Sequence, residues 1–161
     1  MTEKTRINIF MTLQWLFLGG FTVCIAITKP QYDIISAWIA CGTLIASGVA
    51  VGIAALMAHR KINGSIYIKP SPEPREAVEL VTQGIYSRIR HPIYLAVSLI
   101  VAGVAIFSAH WTAIGFAVVI IIFYTCKLRF EERLLIRKYP EYAAYRKDTG
   151  ALLPRIPRHS S

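Results

Sequence analysis

The sequence predicts an all-α integral membrane protein with four transmembrane helices and a cytoplasmic helical extension at its C-terminus. Hydrophobic residues make up 55% of the 161 residues and charged residues only 17%, which is not the balance of a soluble domain. The apolar residues also form three uncharged blocks, at 10–28, 34–58 and 92–126. Because a helix needs roughly 20 apolar residues to cross a bilayer, the first two blocks are one span each. The third block is long enough for a hairpin of two short spans.

The boundaries of the spans follow from breakers and turn residues. The first helix ends before Lys29 and Pro30, since proline cannot continue a helix. Pro92 has its φ preset near the helical value and therefore suits the first turn of the third helix. Residues 108–111 form the turn of the hairpin. We expect spans at about 10–28, 34–58, 92–107 and 112–127, all within one domain of residues 1–161.

Small residues in the second helix indicate close packing in the membrane. Gly48 and Gly52 are four residues apart, and such spacing lets two helices approach closely. The three cysteines have no metal-type spacing, and we interpret them as small apolar packing residues. No metal site is expected.

The basic residues predict the orientation in the membrane. The formal net charge is +9, which alone could suggest a nucleic-acid partner. When the segments between the spans are assigned to alternating sides, however, 17 of the 18 lysines and arginines fall on one side, and only Lys29 falls on the other. The positive-inside rule places both termini and the 59–91 loop in the cytoplasm. We therefore expect a multi-pass protein, in the inner membrane if the source is bacterial, with membrane lipids rather than nucleic acid around it.

The N-terminal block is predicted to be a retained span. Lys4 and Arg6 before an apolar run resemble the start of a signal peptide, but the run is about twice the usual length and no small-x-small cleavage site follows it.

Two polar clusters are expected at the same membrane surface. Arg90 and His91 stand at the start of the third span, and Glu131 and Glu132 lie about 30 Å along the fourth helix from Trp111, which is about one hydrocarbon thickness. We expect the clusters to face each other across a cofactor site. A plainer interpretation is a solvated helical face with ion pairs at i, i+4 spacing and a histidine that only caps a helix.

Two motifs resemble a known enzyme family. Residues 80–94, which read Leu-Val-Thr-Gln-Gly-Ile-Tyr-Ser-Arg-Ile-Arg-His-Pro-Ile-Tyr, resemble the signature of the isoprenylcysteine carboxyl methyltransferases and their phospholipid N-methyltransferase relatives. Glu131-Glu132 and the Tyr-Pro-Glu-Tyr-Ala-Ala-Tyr stretch at 139–145 resemble that family's closing motif. The resemblance covers residues 80–157, the expected catalytic region. Ile85 and Ala96 depart from the family's proline and glycine.

The resemblance implies an S-adenosylmethionine-dependent methyltransferase of the isoprenylcysteine carboxyl O-methylating type. It implies an acceptor that is lipophilic or lipidated and enters from the bilayer. Glu131 would act near the acceptor, and either Lys127 or Arg129 would replace a family arginine. The residues implied to line the cofactor pocket are Tyr86, Arg90, His91, Tyr94, Glu132 and Tyr142.

Other functions remain open at this point. N-methylation of a phospholipid or another amine cannot be separated from carboxyl O-methylation by sequence. A carboxylate acceptor needs no base, whereas an ammonium acceptor must first lose a proton. A reductase similar to the membrane sterol reductases, and a non-catalytic small membrane protein, are two further candidates.

Overall fold

The computed structural model describes residues 2–28, 35–65 and 79–155. This part of the chain is helical apart from turns, short extended segments and one isolated parallel bridge between Ile89 and Gly150. The predictions for Lys29, for Pro30 and for residues 66–78 of the loop between the second and third spans lie outside the described residues.

Three of the helices are long and apolar enough to cross a membrane. They are α1 (Glu3–Ile27), α2 (Ile35–Asn63) and α4 (Trp111–Lys138). Helix α3 (Pro92–Ser108) is also apolar but has 17 residues, which at 1.5 Å per residue give about 26 Å, slightly less than a hydrocarbon layer of about 30 Å. Three of the four predicted spans therefore meet the criteria of length and apolarity. The predicted span at 92–107, which corresponds to α3, stays a prediction.

The helix ends agree with the local signals. Pro92 occupies the first turn of α3, with His91 as its N-cap residue. The hairpin turn falls between Ser108 and Trp111, where Ala109 adopts a left-handed conformation with φ of 49°. Helix α4 continues to Lys138, eleven residues beyond the predicted end of the span at 127. A short helix, α5 (Tyr142–Asp148), follows as the predicted extension, whose cytoplasmic placement stays a prediction.

The helices pack in the spatial order α1, α4, α3, α2. Helix α2 approaches α3 closely because a Cβ at Gly48 would lie 2.8 Å from the carbonyl oxygen of Ala96, and one at Gly103 would lie 3.0 Å from that of Cys41. The predicted small-residue seam on α2 is thus confirmed at Gly48. Gly52 lies at the same seam with ordinary contact distances.

Aromatic and small side chains form the contact between α1 and α4. The centroid of the Phe10 ring lies 5.9 Å from the centroid of the Phe123 ring and 5.2 Å from that of the Phe130 ring. Cys24 is buried in this core, as expected of a packing residue, and Cys41 is buried against α3, whereas Cys126 is exposed on α4. The start of α1 and the end of α4 lie together, because Gln14 contacts Lys127 and Glu3 contacts Arg137. The start of α3 and the end of α4 also share one end of the bundle.

Candidate functional site

The two predicted polar clusters meet where α3 begins and α4 ends. The Nε of Arg90 donates to Oε1 of Glu132 at 2.8 Å, although the two residues are 42 positions apart. Both side chains are buried, with 7% and 5% of their surface exposed. The prediction that the clusters lie side by side is confirmed by this contact. The expectation of a cofactor-sized gap between them is wrong for this pair, because the two side chains touch.

Arg90 also fastens the C-terminal segment to the bundle. Its Nη1 donates to the carbonyl oxygen of Arg146 at 3.0 Å and to both oxygens of Thr149. The backbone N–H groups of Arg90 and His91 donate to the carbonyls of Gly150 at 2.9 Å and of Ala151 at 3.0 Å. The resemblance implied contact between Arg90 and the cofactor, but the structure directs its guanidinium into a clamp between α4 and the segment after α5.

Glu132 lies next to three basic side chains. Besides Arg90, the Nε of Arg146 lies 3.2 Å from its Oε2, and Nε2 of His91 lies 3.5 Å from its Oε1. A buried carboxylate in such surroundings is stabilised in its ionised form. Glu132 therefore serves as the centre of the clamp rather than as an open ligand.

Glu131 has different partners. The hydroxyl of Tyr94 donates to its Oε1 at 2.5 Å, and Nδ1 of His91 lies 3.8 Å from its Oε2. The rings of His91 and Tyr94 are parallel within 2° at 5.5 Å, and the ring of Tyr124 packs 4.8 Å from Tyr94. The Glu131 side chain keeps 13% of its surface exposed, more than the 5% of Glu132. It is thus an oriented, largely buried carboxylate with aromatic rings beside it.

Lys127 belongs to this cluster and Arg129 does not. The Nζ of Lys127 is fully buried, lies 5.5 Å from the centre of the Tyr94 ring and donates to Oε1 of Gln14 on α1 at 2.5 Å. Arg129 is exposed and lies two positions before Glu131, about 200° round the helix from it. Of the two residues that the sequence left open, Lys127 is the one beside the carboxylate.

Tyr142 and Tyr145 on α5 face the segment before α3 that carries Tyr86. Tyr142 is buried, and its hydroxyl has no hydrogen-bond partner among the described residues. The hydroxyl of Tyr145 donates to the carbonyl of Tyr86 at 2.6 Å. Burial raises the pKa of the Tyr86 phenol to about 12 and raises the pKa values of Tyr142 and Tyr145 as well. All three phenols therefore stay neutral and able to donate hydrogen bonds near neutral pH.

The donor set fits parts of S-adenosylmethionine. This cofactor carries a sulfonium and an ammonium, which favour carboxylates and aromatic faces, and Glu131 with Tyr94 supplies both. Two buried polar atoms, Nε2 of His91 and the hydroxyl of Tyr142, have no hydrogen-bond partner within the described ranges. Buried polar atoms are rarely left so, and a bound polar molecule would satisfy them.

Several residues of this region escaped the sequence analysis. Gln14 is an uncharged polar residue inside the first apolar block, and such residues in spans tend to bond other helices, so a signal existed. No sequence pattern predicted the contacts of Arg146, Thr149 and Gly150, because their partners lie about 15 to 60 positions away in the chain.

Comparisons with known proteins match this chain to one family and to two relatives. A family model described as phospholipid methyltransferase matches residues 37–142. The nickel-cobalt-cadmium resistance protein NccN of Alcaligenes xylosoxydans xylosoxydans is 35% identical over 83 residues, which cover 51% of this chain and 39% of NccN. The cobalt-zinc-cadmium resistance protein CzcN of Cupriavidus metallidurans is 37% identical over 79 residues, which cover 48% of this chain and 36% of CzcN. The matched region thus spans less than half of either relative.

Proposed function

Because the chain belongs to the phospholipid methyltransferase family, we propose that it transfers a methyl group from S-adenosylmethionine to an acceptor held in the bilayer. The observation that carries the proposal is the placement of Glu131, whose Oε1 accepts from the Tyr94 hydroxyl at 2.5 Å at the junction of α3 and α4. This junction lies at one end of apolar helices, where a water-soluble cofactor and a lipidic acceptor can both arrive.

The proposed roles follow from the contacts. Glu131, with Tyr94 beside it, would hold the cationic part of the cofactor or of the acceptor. Nε2 of His91 and the hydroxyl of Tyr142 would bind polar groups of the cofactor, while Arg90 and Glu132 would keep the C-terminal segment closed over the site. When bound, the cofactor would supply an electrophilic methyl group: the acceptor's lone pair forms the new bond to the methyl carbon, and the sulfur keeps the electron pair of the broken S–C bond as a neutral thioether. The protein would contribute alignment and exclusion of water.

The acceptor that the geometry supports best is the amine headgroup of a phospholipid. An ammonium must lose a proton before its nitrogen can form a bond to the methyl carbon, and in this proposal Glu131 takes that proton. A carboxylate acceptor of the isoprenylcysteine type is the second candidate. The buried cation of Lys127 beside Tyr94 favours it, but that ammonium already donates to Gln14, and Arg129 faces away from the cluster.

The setting of this reaction completes the proposal. We propose an inward-facing site in a single membrane domain, with both termini in the cytoplasm and with α3 as a fourth, short span. The concentration of basic residues at the start of α1 and the ends of α2 and α4, which share one end of the bundle, supports this orientation.

The test is transfer of label from S-adenosylmethionine to a lipid extract by the purified protein in detergent. We expect a labelled lipid heavier by one methyl per transfer, and loss of transfer in Glu131→Gln but not in the exposed control Arg88→Gln. Treatment with base separates the acceptors, because methyl esters release volatile methanol and N-methyl groups remain. Absence of any labelled product, together with no stabilisation by S-adenosylmethionine in thermal unfolding, would contradict the proposal. Stabilisation by NADPH instead would indicate a reductase.

A further inference from the structure

A second polar site lies between α1 and α4, on the far side of α4 from Glu132. It is a cleft of about 260 Å³. Its lining residues are Glu3, Arg6, Phe130, Arg133, Leu134 and Arg137. Those from α4 recur every three or four positions and so share one face of that helix. Glu132 lies about 200° round the helix from Phe130, so the cleft is separate from the clamp.

The charge of the cleft is strongly positive. Three guanidinium groups surround it and only one carboxylate, that of Glu3. The Oε2 of Glu3 lies 3.6 Å from Nη1 of Arg137, and both side chains are more than half exposed, so this pair is weak. A net excess of two positive charges remains at Arg6 and Arg133. The cleft therefore suits an anion with two or more acceptor oxygens.

The floor of the same cleft is apolar. Phe130 and Leu134 are buried with Ile7 in a small core, against which Phe10 packs. The guanidinium carbon of Arg133 lies 5.8 Å from the centre of the Phe130 ring, which orients this arginine across the floor. Charged groups thus stand directly above the apolar surfaces of two membrane helices.

The depth of the cleft matches the lipid headgroups. Arg133 lies 22 residues after Trp111, which at 1.5 Å per residue is about 33 Å, close to one hydrocarbon thickness. Both walls of the cleft belong to helices long and apolar enough to span the membrane, so in a bilayer an occupant of the cleft would lie beside lipid chains. A soluble anion has no apolar part that could pack against these helices.

We propose that this cleft binds the phosphate of an anionic phospholipid from the surrounding leaflet, as a site distinct from that of the methyl acceptor. The arginines hold the phosphate, and the acyl chains lie along the outer surfaces of α1 and α4. A charge-assisted hydrogen bond from an arginine to the phosphate contributes roughly a ten-fold factor in affinity, beyond the general attraction of a basic residue to an anionic surface.

The test is native mass spectrometry of the detergent-purified protein with added phosphatidylglycerol or phosphatidylcholine. We expect preferential retention of phosphatidylglycerol, and a loss of affinity of roughly ten-fold or more in the double variant Arg133→Gln, Arg137→Gln. The matched control is Arg60→Gln, Lys61→Gln, which removes two exposed charges from the end of α2 and should retain the lipid. The charge-preserving variant Arg133→Lys, Arg137→Lys should retain more phosphatidylglycerol than the double glutamine variant at these positions and less than the control variant. Helicity by circular dichroism confirms that each variant is folded.

Three results would overturn the proposal. Equal retention of the two lipids would show that phosphate charge is not recognised. Equal loss in the control at Arg60 and Lys61 would indicate general electrostatic attraction rather than a site. Displacement of phosphatidylglycerol by millimolar inorganic phosphate would identify a soluble anion as the occupant.

Discussion

The guanidinium of Arg90 bonds the carboxylate of Glu132 from its Nε at 2.8 Å and the C-terminal segment from its Nη1, so one side chain joins three parts of the chain. Arginine can bond both partners because its planar guanidinium carries several N–H donors that point in different directions, whereas a lysine offers a single point charge. The segment after α5 is therefore attached to the bundle chiefly through a residue that precedes α3.

Arg90→Gln should destabilise the protein and release this segment. Removing one partner of a buried ion pair costs about 3–5 kcal/mol, and Glu132 would retain only the weaker contacts with His91 and Arg146. We expect a lower thermal unfolding midpoint and faster proteolysis after residue 148. The exposed neighbour Arg88 provides the control, and Arg88→Gln should leave both measurements unchanged. Equal proteolysis of the two variants would show that Arg90 does not hold the segment.

Tyr94→Phe should impair catalysis more than folding. The substitution keeps the ring, which packs on His91 and Tyr124, and removes the hydroxyl that donates to Glu131 at 2.5 Å. A hydrogen bond to a charged group contributes about 1.5–3 kcal/mol, which corresponds to a roughly ten- to hundred-fold lower kcat.

Methyl transfer and thermal unfolding measured on the same Tyr94→Phe preparation provide the check. Glu131→Gln is the comparison, since it keeps the shape of the acceptor and removes its charge. Normal kcat in Tyr94→Phe together with inactive Glu131→Gln would show that the charge matters and its orientation by Tyr94 does not.

Gln14→Leu should destabilise the contact between α1 and α4. It removes an acceptor 2.5 Å from the buried ammonium of Lys127, at an expected cost of about 1–3 kcal/mol in the free energy of unfolding. Gln14→Glu should restore stability, because a carboxylate also accepts from an ammonium. Thr12→Val, on the exposed side of α1, is the control and should have little effect. An unfolding midpoint of Gln14→Leu equal to that of the wild type would show that the hydrogen bond between Gln14 and Lys127 does not stabilise the protein.

Gly150→Ala should disrupt the bridge between the C-terminal segment and the start of α3. A Cβ at this position would lie 1.7 Å from the carbonyl oxygen of Leu153, so the backbone must move. The three backbone hydrogen bonds that join 88–91 to 150–151 would weaken, at about 1 kcal/mol each. Gly115→Ala on α4 is the matched control, since no atom lies within 4 Å of its Cβ and alanine favours a helix. Unfolding midpoints of the two variants that differ by less than a degree would contradict this role.

The sequence by itself determined the helical architecture and the level of the two polar clusters. Uncharged blocks mark apolar helices, Pro92 marks the start of α3, and the distance from Trp111 to Glu131 follows from helix rise. These features depend on local chemistry and on the length of the chain between two boundaries. They were predictable because a membrane-spanning helix satisfies its own backbone, whatever its neighbours are.

Only the tertiary structure decided which side chains meet. It joined Gln14 to Lys127, turned Arg129 to the surface and brought Arg90 into contact with Glu132, so that the expected gap between the clusters is closed. A rotation of α4 by two residues would exchange the positions of Lys127 and Arg129. Such rotations are set by the packing of α1 and α3 against α4, and contacts between residues far apart in sequence leave no trace in the periodicity of either helix.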